Sequence, residues 1–236
     1  MSSETTSEEA APLVLPILPL RNTSLFPGVL IPLNIGRPAT LRLLEESLPQ
    51  SKTLGLVLQK DSESENPKFE DLYEHGVSGK VIRMLRQGPD GAIVLVQGDQ
   101  RIRMRRPTQE EPFLKAEVEI LPSKPLDNED DYQKAALQNL RESAEKLLNL
   151  RPDVPDEVKA ALAQIEDPSF LTDFLASNLS IELTEKQKLL EETDVARRVA
   201  SVQKLLDNQL HIAELQGKLR ENVQSEFSEA QKRAYL

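Results

Sequence analysis

Apolar residues crowd residues 16–37, PILPLRNTSLFPGVLIPLNIGR, yet Pro16, Pro19, Pro27 and Pro32 interrupt the run. Proline lacks the backbone donor that a central strand uses, so the pattern predicts a path along a sheet edge or through turns. Overlapping its start, residues 13–20 read as a first strand. Gly36-Arg37-Pro38 stops the extended chain, and Pro38 suits the first turn of a helix running to about Leu48. Residues 54–59, LGLVLQ, form a short apolar run of the kind buried on both faces. Two further strands, residues 77–85 and 92–97, flank the turn residues Gln87-Gly88-Pro89-Asp90-Gly91. A second turn is expected at Gly98-Asp99-Gln100. Beyond it Ile102 and Met104 alternate with arginines, and Leu114, Ala116, Val118 and Ile120 alternate with charged residues. Such alternation marks strands with one buried and one solvated face.

After about residue 122 the apolar period changes from two to that of a helix. Tyr132, Ala136, Leu140, Ala144 and Leu147 mark one helix, and Val158, Ala161, Leu162 and Ile165 a second. Asp167-Pro168 reads as a cap followed by proline in the first turn of a third. Thr184-Glu185-Lys186-Gln187 reads as a capping box for a fourth. From about Asp194 the helical stripe continues through Val199, Val202, Leu206, Leu210 and Ala213, then Leu219, Val223, Phe227 and Ala230. Some forty residues would span about 60 Å, roughly twice the width of a small domain. Its far end is polar nearly all round and has no Gly or Pro stop, which predicts a helix bridging to a further module of a longer protein. The predicted class is α+β: a small β-rich, barrel-like subdomain over 13–122, a linker at 123–131, a helical bundle at 132–193 and a long helix at 194–236. Residues 1–12 read as a disordered tail.

Composition narrows the function. The 236 residues carry a net charge of −10, which disfavours nucleic acid or an anionic membrane as partner. Aromatic residues make up only 4% with no tryptophan, too few for a platform that stacks bases. Without cysteine there is no disulfide, thiolate metal site or cysteine nucleophile. The start, MSSETTSEEAAP, lacks the basic and apolar regions of a secretory signal, and no apolar run is long enough to cross a bilayer. A cytoplasmic protein is expected.

Catalytic chemistry finds no foothold. Gly79-Lys80 is the nearest approach to a phosphate-binding loop, but Glu74 and Val81 stand where that loop needs Gly and Ser or Thr. His75 and His211 are isolated, with no serine or carboxylate placed by sequence to form a triad. The acidic run at 127–131 lacks the glycine and distal glutamate of a calcium loop, and suits the start of a helix. No catalytic, cofactor or metal site is expected in this chain.

Residues 15–37, LPILPLRNTSLFPGVLIPLNIGR, and 71–104, DLYEHGVSGKVIRMLRQGPDGAIVLVQGDQRIRM, resemble the amino-terminal domain of Lon-type ATP-dependent proteases. So does IEDPSFLTDFLASNLSIELTEKQKLLEETDVARRV, at 165–199. The resemblance runs over nearly the whole chain and keeps the family's order. It implies a subdomain of the pseudouridine-synthase-and-archaeosine-transglycosylase (PUA-like) type, then a helical bundle and a helix leading to an ATPase and a Ser–Lys peptidase. ATP and magnesium belong to that ATPase. It further implies recognition of unfolded or damaged proteins and support of a homohexamer.

Two surfaces follow as candidates. Leu25, Phe26, Pro27 and Val29 form an apolar turn, with Met84 and Leu85 on the adjoining hairpin arm; the turn is either core or an exposed patch that contacts substrate. On the long helix, Leu219, Val223 and Phe227 form a seam for a neighbouring module or subunit. Arg83, Arg86, Arg101, Arg103, Arg105 and Arg106 are expected on the wet faces of strands. Their alternative role is contact with RNA, which would make the chain a self-contained RNA-binding module.

Overall fold

The computed structural model describes residues 12–234 except Asp90, Pro152, Asp153 and Pro155, with side chains of the last helix described as far as Arg220. The acidic tail at 1–11 lies outside the described residues. Among the described residues six strands and six α-helices occur in the order β1 (Leu13–Leu20), β2 (Leu30–Ile35), α1 (Pro38–Ser47), β3 (Thr53–Leu58), β4 (His75–Arg86), β5 (Ala92–Gln109), β6 (Lys115–Ile120), α2 (Asp131–Asn149), α3 (Asp156–Ala163), α4 (Pro168–Asn178), α5 (Leu183–Glu191) and α6 (Val195–Ala234). This mixed α+β architecture matches the expected class. Residue contacts divide the chain into two units. The first takes everything up to Pro122 together with Glu182–Glu191, and the second takes Ser123–Ile181 and the chain from Glu192 onward.

In the first unit the strands run in the order β2-β5-β4-β3-β1-β6, and β5 also pairs with β6. The pairings β1-β3-β4-β5-β6 therefore close on themselves. The expected turn at residues 98–100 does not exist: β5 is one strand of 18 residues that runs straight through it. It must be long because two strands share one of its edges in turn. Residues 92–97 pair with β2, and residues 102–109 pair with β6. Gly98 lies between the two, where a β-carbon would come within 2.2 Å of the Phe26 carbonyl oxygen.

The prolines of β1 find a different solution from the predicted edge. The strand lies between β3 and β6, but Leu13 to Pro16 pair with β6 and Ile17 to Leu20 with β3. Each proline thus has one unpaired side, where a missing donor costs little. Pro32 is on β2, at the open end of the strand order, as an edge proline should be. One apolar cluster joins Leu15, Ile17, Val57, Leu72, Ile102, Leu114, Ala116 and Val118.

α5 also belongs to this first unit, not to the helical bundle where its sequence placed it. The buried Arg101 donates from Nε to the Leu190 carbonyl at 2.9 Å, and Gln187 donates to the His75 carbonyl at 3.2 Å. The helix starts at Leu183, so Thr184 lies inside it and does not act as the cap of a capping box.

In the second unit, α2 and α4 begin as the sequence predicts. Asp130 accepts hydrogen bonds from the amides of Tyr132 and Gln133, and Asp167 from those of Ser169 and Phe170. Leu140, Ala144 and Leu147 of α2 are buried, as are Val199, Val202 and Leu206 of α6. Arg198 is buried too. Its guanidinium reaches Ser169 Oγ at 2.7 Å, Thr172 Oγ1 at 3.2 Å and the Glu192 carbonyl at 3.1 Å, and lies 3.7 Å from the Asp173 carboxylate.

Candidate functional site

The turn into β2 sorts its own residues. Val29 N–H donates to the Phe26 carbonyl at 3.2 Å, with Pro27 and Gly28 between them and Gly28 at φ 77°. Proline then glycine with positive φ is the type II signature, and it leaves only those two residues at the tip. Gly28 N–H and Gly98 C=O pair at 3.0 Å, and Gly98 N–H donates to Val29 C=O at 2.8 Å, fixing the turn onto β5. Leu25 and Phe26 are consequently core, 1% and 0% exposed. The expectation that they form an exposed patch is corrected. Pro27 and Val29 remain half-buried.

A different apolar surface emerges from strand register. Across β2, β5 and β4, one face carries Ile31, Leu33 and Ile35 with Ala92, Val94 and Val96, nearly all buried. The opposite face carries three rows. Leu30 stands beside Gln97 and Lys80, Pro32 beside Leu95 and Arg83, and Asn34 beside Ile93 and Leu85. Leu30 is 49% exposed and Leu85 48%. Ile82, in the register irregularity between Val81 and Arg83, adds another side chain 47% exposed. Met84 pairs with Val94 in register, which puts it on the inner face, half-buried. Of the residues picked out from sequence, Leu85 lies within this outer face and Val29 directly precedes it. Leu30, Ile82, Ile93 and Leu95 went unnoticed, although period-two alternation in IVLVQ at 93–97 could have separated the two faces.

A patch with several half-exposed aliphatic side chains on adjacent strands marks an interaction surface more often than a chance exposure. No group of His, Cys, Asp or Glu able to hold a metal occurs among the described residues.

The arginine group looks unlike a nucleic-acid face. Arg86 pairs with Glu45, Arg103 with Glu74 at 2.9 Å, Arg105 with Glu119 and Arg106 with Glu117 at 2.5 Å. Hydrogen bonding to Arg103 holds the Glu74 carboxyl below its usual range. Arg101, expected on a wet face, is buried beneath α5. A chain of phosphates would have to compete with a carboxylate at four of these six positions.

On α6, Leu219 is 64% exposed, with Ile212 and Leu215 also outward. A cavity of about 360 Å³ opens beside Leu150, Gln209, Ile212 and Gly217. The side chains of Val223 and Phe227 lie outside the described residues. No helix among the described residues is long and apolar enough to cross a membrane.

Residues 14–208 match the family model described as the ATP-dependent protease La (LON) substrate-binding domain. The Lon protease of Cytophaga hutchinsonii is 35% identical over 229 residues, covering 97% of this chain and 28% of that protein. The Lon protease of Dictyoglomus thermophilum is 36% identical over 225 residues, covering 95% and 28%. The chain therefore spans little more than a quarter of the length of these relatives. Among solved structures, the N-terminal domain of a Mycobacterium avium complex Lon protease superposes with a TM-score of 0.65 at 22% identity, covering 83% of this chain and 98% of that one. A Lon N-terminal domain protein from Xanthomonas campestris gives 0.55 at 17% identity, covering 80% and 96%. With most of its length matched by the family model and the fold shared with two such domains, the chain belongs to the LON substrate-binding domain family.

Proposed function

We propose that this chain is the non-catalytic substrate-recognition and assembly domain of a cytoplasmic ATP-dependent serine protease of the Lon type. It binds unfolded or damaged protein through the outer face of β2, β5 and β4. The carrying observation is the exposed aliphatic surface around Leu30, Ile82 and Leu85. Unfolded chains differ from folded ones chiefly in the apolar side chains they expose, and such a face senses those without reading sequence. Covering a fully exposed leucine contributes about 1.5–3 kcal/mol, so one face binds weakly. Several copies in a homohexamer would raise the overall affinity through avidity. Pro27 and Val29 border the face, and the half-buried Met84 supports it from beneath. We read the closed circuit of strands as the PUA-like element, and Leu219 with Val223 and Phe227 as the contact toward a neighbouring subunit or the ATPase module. ATP and magnesium would act in that module.

The test is capture of a chemically denatured, fluorescently labelled protein by the purified chain. Leu30→Ser with Leu85→Ser should lower capture severalfold and leave thermal unfolding nearly unchanged, because exposed substitutions usually move stability by less than about 0.5 kcal/mol. Phe26→Ala should instead unfold the domain, since emptying a buried aromatic site costs about 3–5 kcal/mol. Undiminished capture by the double variant would sink the assignment.

A further inference from the structure

The outer face is apolar but carries one sign of charge. Three paired positions on each of three strands make it up, with Ile82 beside them, and the charged members of these rows are Lys80 and Arg83, with no carboxylate among them. This contrasts with a chain whose 39 Asp and Glu outnumber its 29 Lys and Arg. Arg83 stands directly opposite Leu95, whose other neighbour is Pro32, so the cation is set inside the apolar rows. Lys80 occupies the matching place in the Leu30–Gln97 row. Both side chains are exposed. Among the described residues neither has a carboxylate within ion-pair distance, whereas Arg86, Arg103, Arg105 and Arg106 each have one.

We propose that Lys80 and Arg83 make this face selective: it prefers apolar segments flanked by Asp or Glu over segments flanked by Lys or Arg. The proposal rests on the reading of the face as a polypeptide-binding surface. Aliphatic contact supplies affinity without regard to charge. A carboxylate beside the apolar run can reach Arg83 or Lys80 while its neighbours cover Leu30, Leu95 and Leu85. A lysine in the same place meets like charge and finds no carboxylate within the three rows. The overall charge of −10 opposes an acidic ligand at long range, but salt near 0.1 M screens charges beyond about 10 Å. Contact-range pairing then decides the preference.

Three labelled peptides with one shared apolar run, flanked by Glu, by Ser or by Lys, test this by fluorescence anisotropy on the purified chain. At low salt the Glu-flanked peptide should bind about three- to tenfold tighter than the Lys-flanked one, with the Ser-flanked peptide between them. Raising the salt to about 0.5 M should close the gap without abolishing binding. Lys80→Glu with Arg83→Glu should reverse the order. Should that variant fold poorly by circular dichroism, Arg83→Gln should still halve the gap or better. Equal binding of all three peptides, or a Lys preference, overturns the selectivity and leaves the binding face standing. Binding by none overturns both. A Glu preference that survives in the folded variants overturns the assignment to these two residues.

Discussion

At Gly98 the absence of a side chain lets the backbone of one strand approach the turn before another. An alanine β-carbon there would meet the Phe26 carbonyl oxygen at 2.2 Å and its carbon at 2.9 Å. Neither atom can swing away, because Gly98 itself is hydrogen-bonded to Gly28 and Val29 on that same turn. Gly98→Ala is therefore expected to destabilise the fold by about 1–3 kcal/mol, the usual cost of forcing extra atoms into a packed site. Urea unfolding measures it; a midpoint unchanged from the unsubstituted chain would mean the turn can shift freely. The same turn separates Phe26, fully buried, from Pro27, one residue later at the tip. Neighbours in sequence have opposite roles because a type II turn reverses the chain between them.

Among the elements, α4 and α6 are joined by polar as well as apolar contacts. Arg198 of α6 and Asp173 of α4 are each 1% exposed at the side chain and 3.7 Å apart, with Ser169 and Thr172 as further acceptors for the guanidinium. Removing one partner of a buried pair strands the other charge, at a cost of about 3–5 kcal/mol. Arg198→Met should show a loss of that order in chemical denaturation. Pairing it with Asp173→Leu should recover part of the loss, because a buried ion pair replaced by apolar groups of similar volume is often close to neutral. A double variant no better than the single one would show that the hydroxyl partners matter more than the carboxylate. The element boundaries in the second unit were legible in the sequence where a cap is local, as with Asp167. The start of α5, in the first unit, was not legible, although Thr184 and Gln187 had the right spacing for a cap. There Gln187 is drawn to the His75 carbonyl, 112 residues earlier in the chain.

For the molecule as a whole, α6 sets what remains uncovered. Val195, Val199, Val202 and Leu206 are buried, and from Glu214 to Arg220 every side chain is exposed. A helix outlasting its packing is held only by its own hydrogen bonds, which open with little free-energy cost. In the isolated chain, amides from Gly217 to Arg220 should exchange at least about a hundredfold faster than those from Val199 to Leu206. Leu219→Ser should leave thermal unfolding of this chain unchanged while weakening its contact with a neighbouring subunit or module. Uniform protection along the helix in a proven monomer would contradict the proposed seam.

The sequence alone determined much here. Alternation and helical period located β1, α1, α2, α4 and the start of α6, because those patterns are set by neighbours within a few residues. It also excluded thiolate chemistry and a phosphate loop, which depend on composition and short spacing. Tertiary structure alone decided which apolar residues are seen by solvent. Leu25 and Phe26 look no different in sequence from Leu30 and Leu85, yet the first pair is core and the second pair is surface. Their fates depend on register across β2, β5 and β4, on the close approach at Gly98 and on β5 exchanging β2 for β6 along one edge. Those are relations between residues tens of positions apart, which no local pattern records.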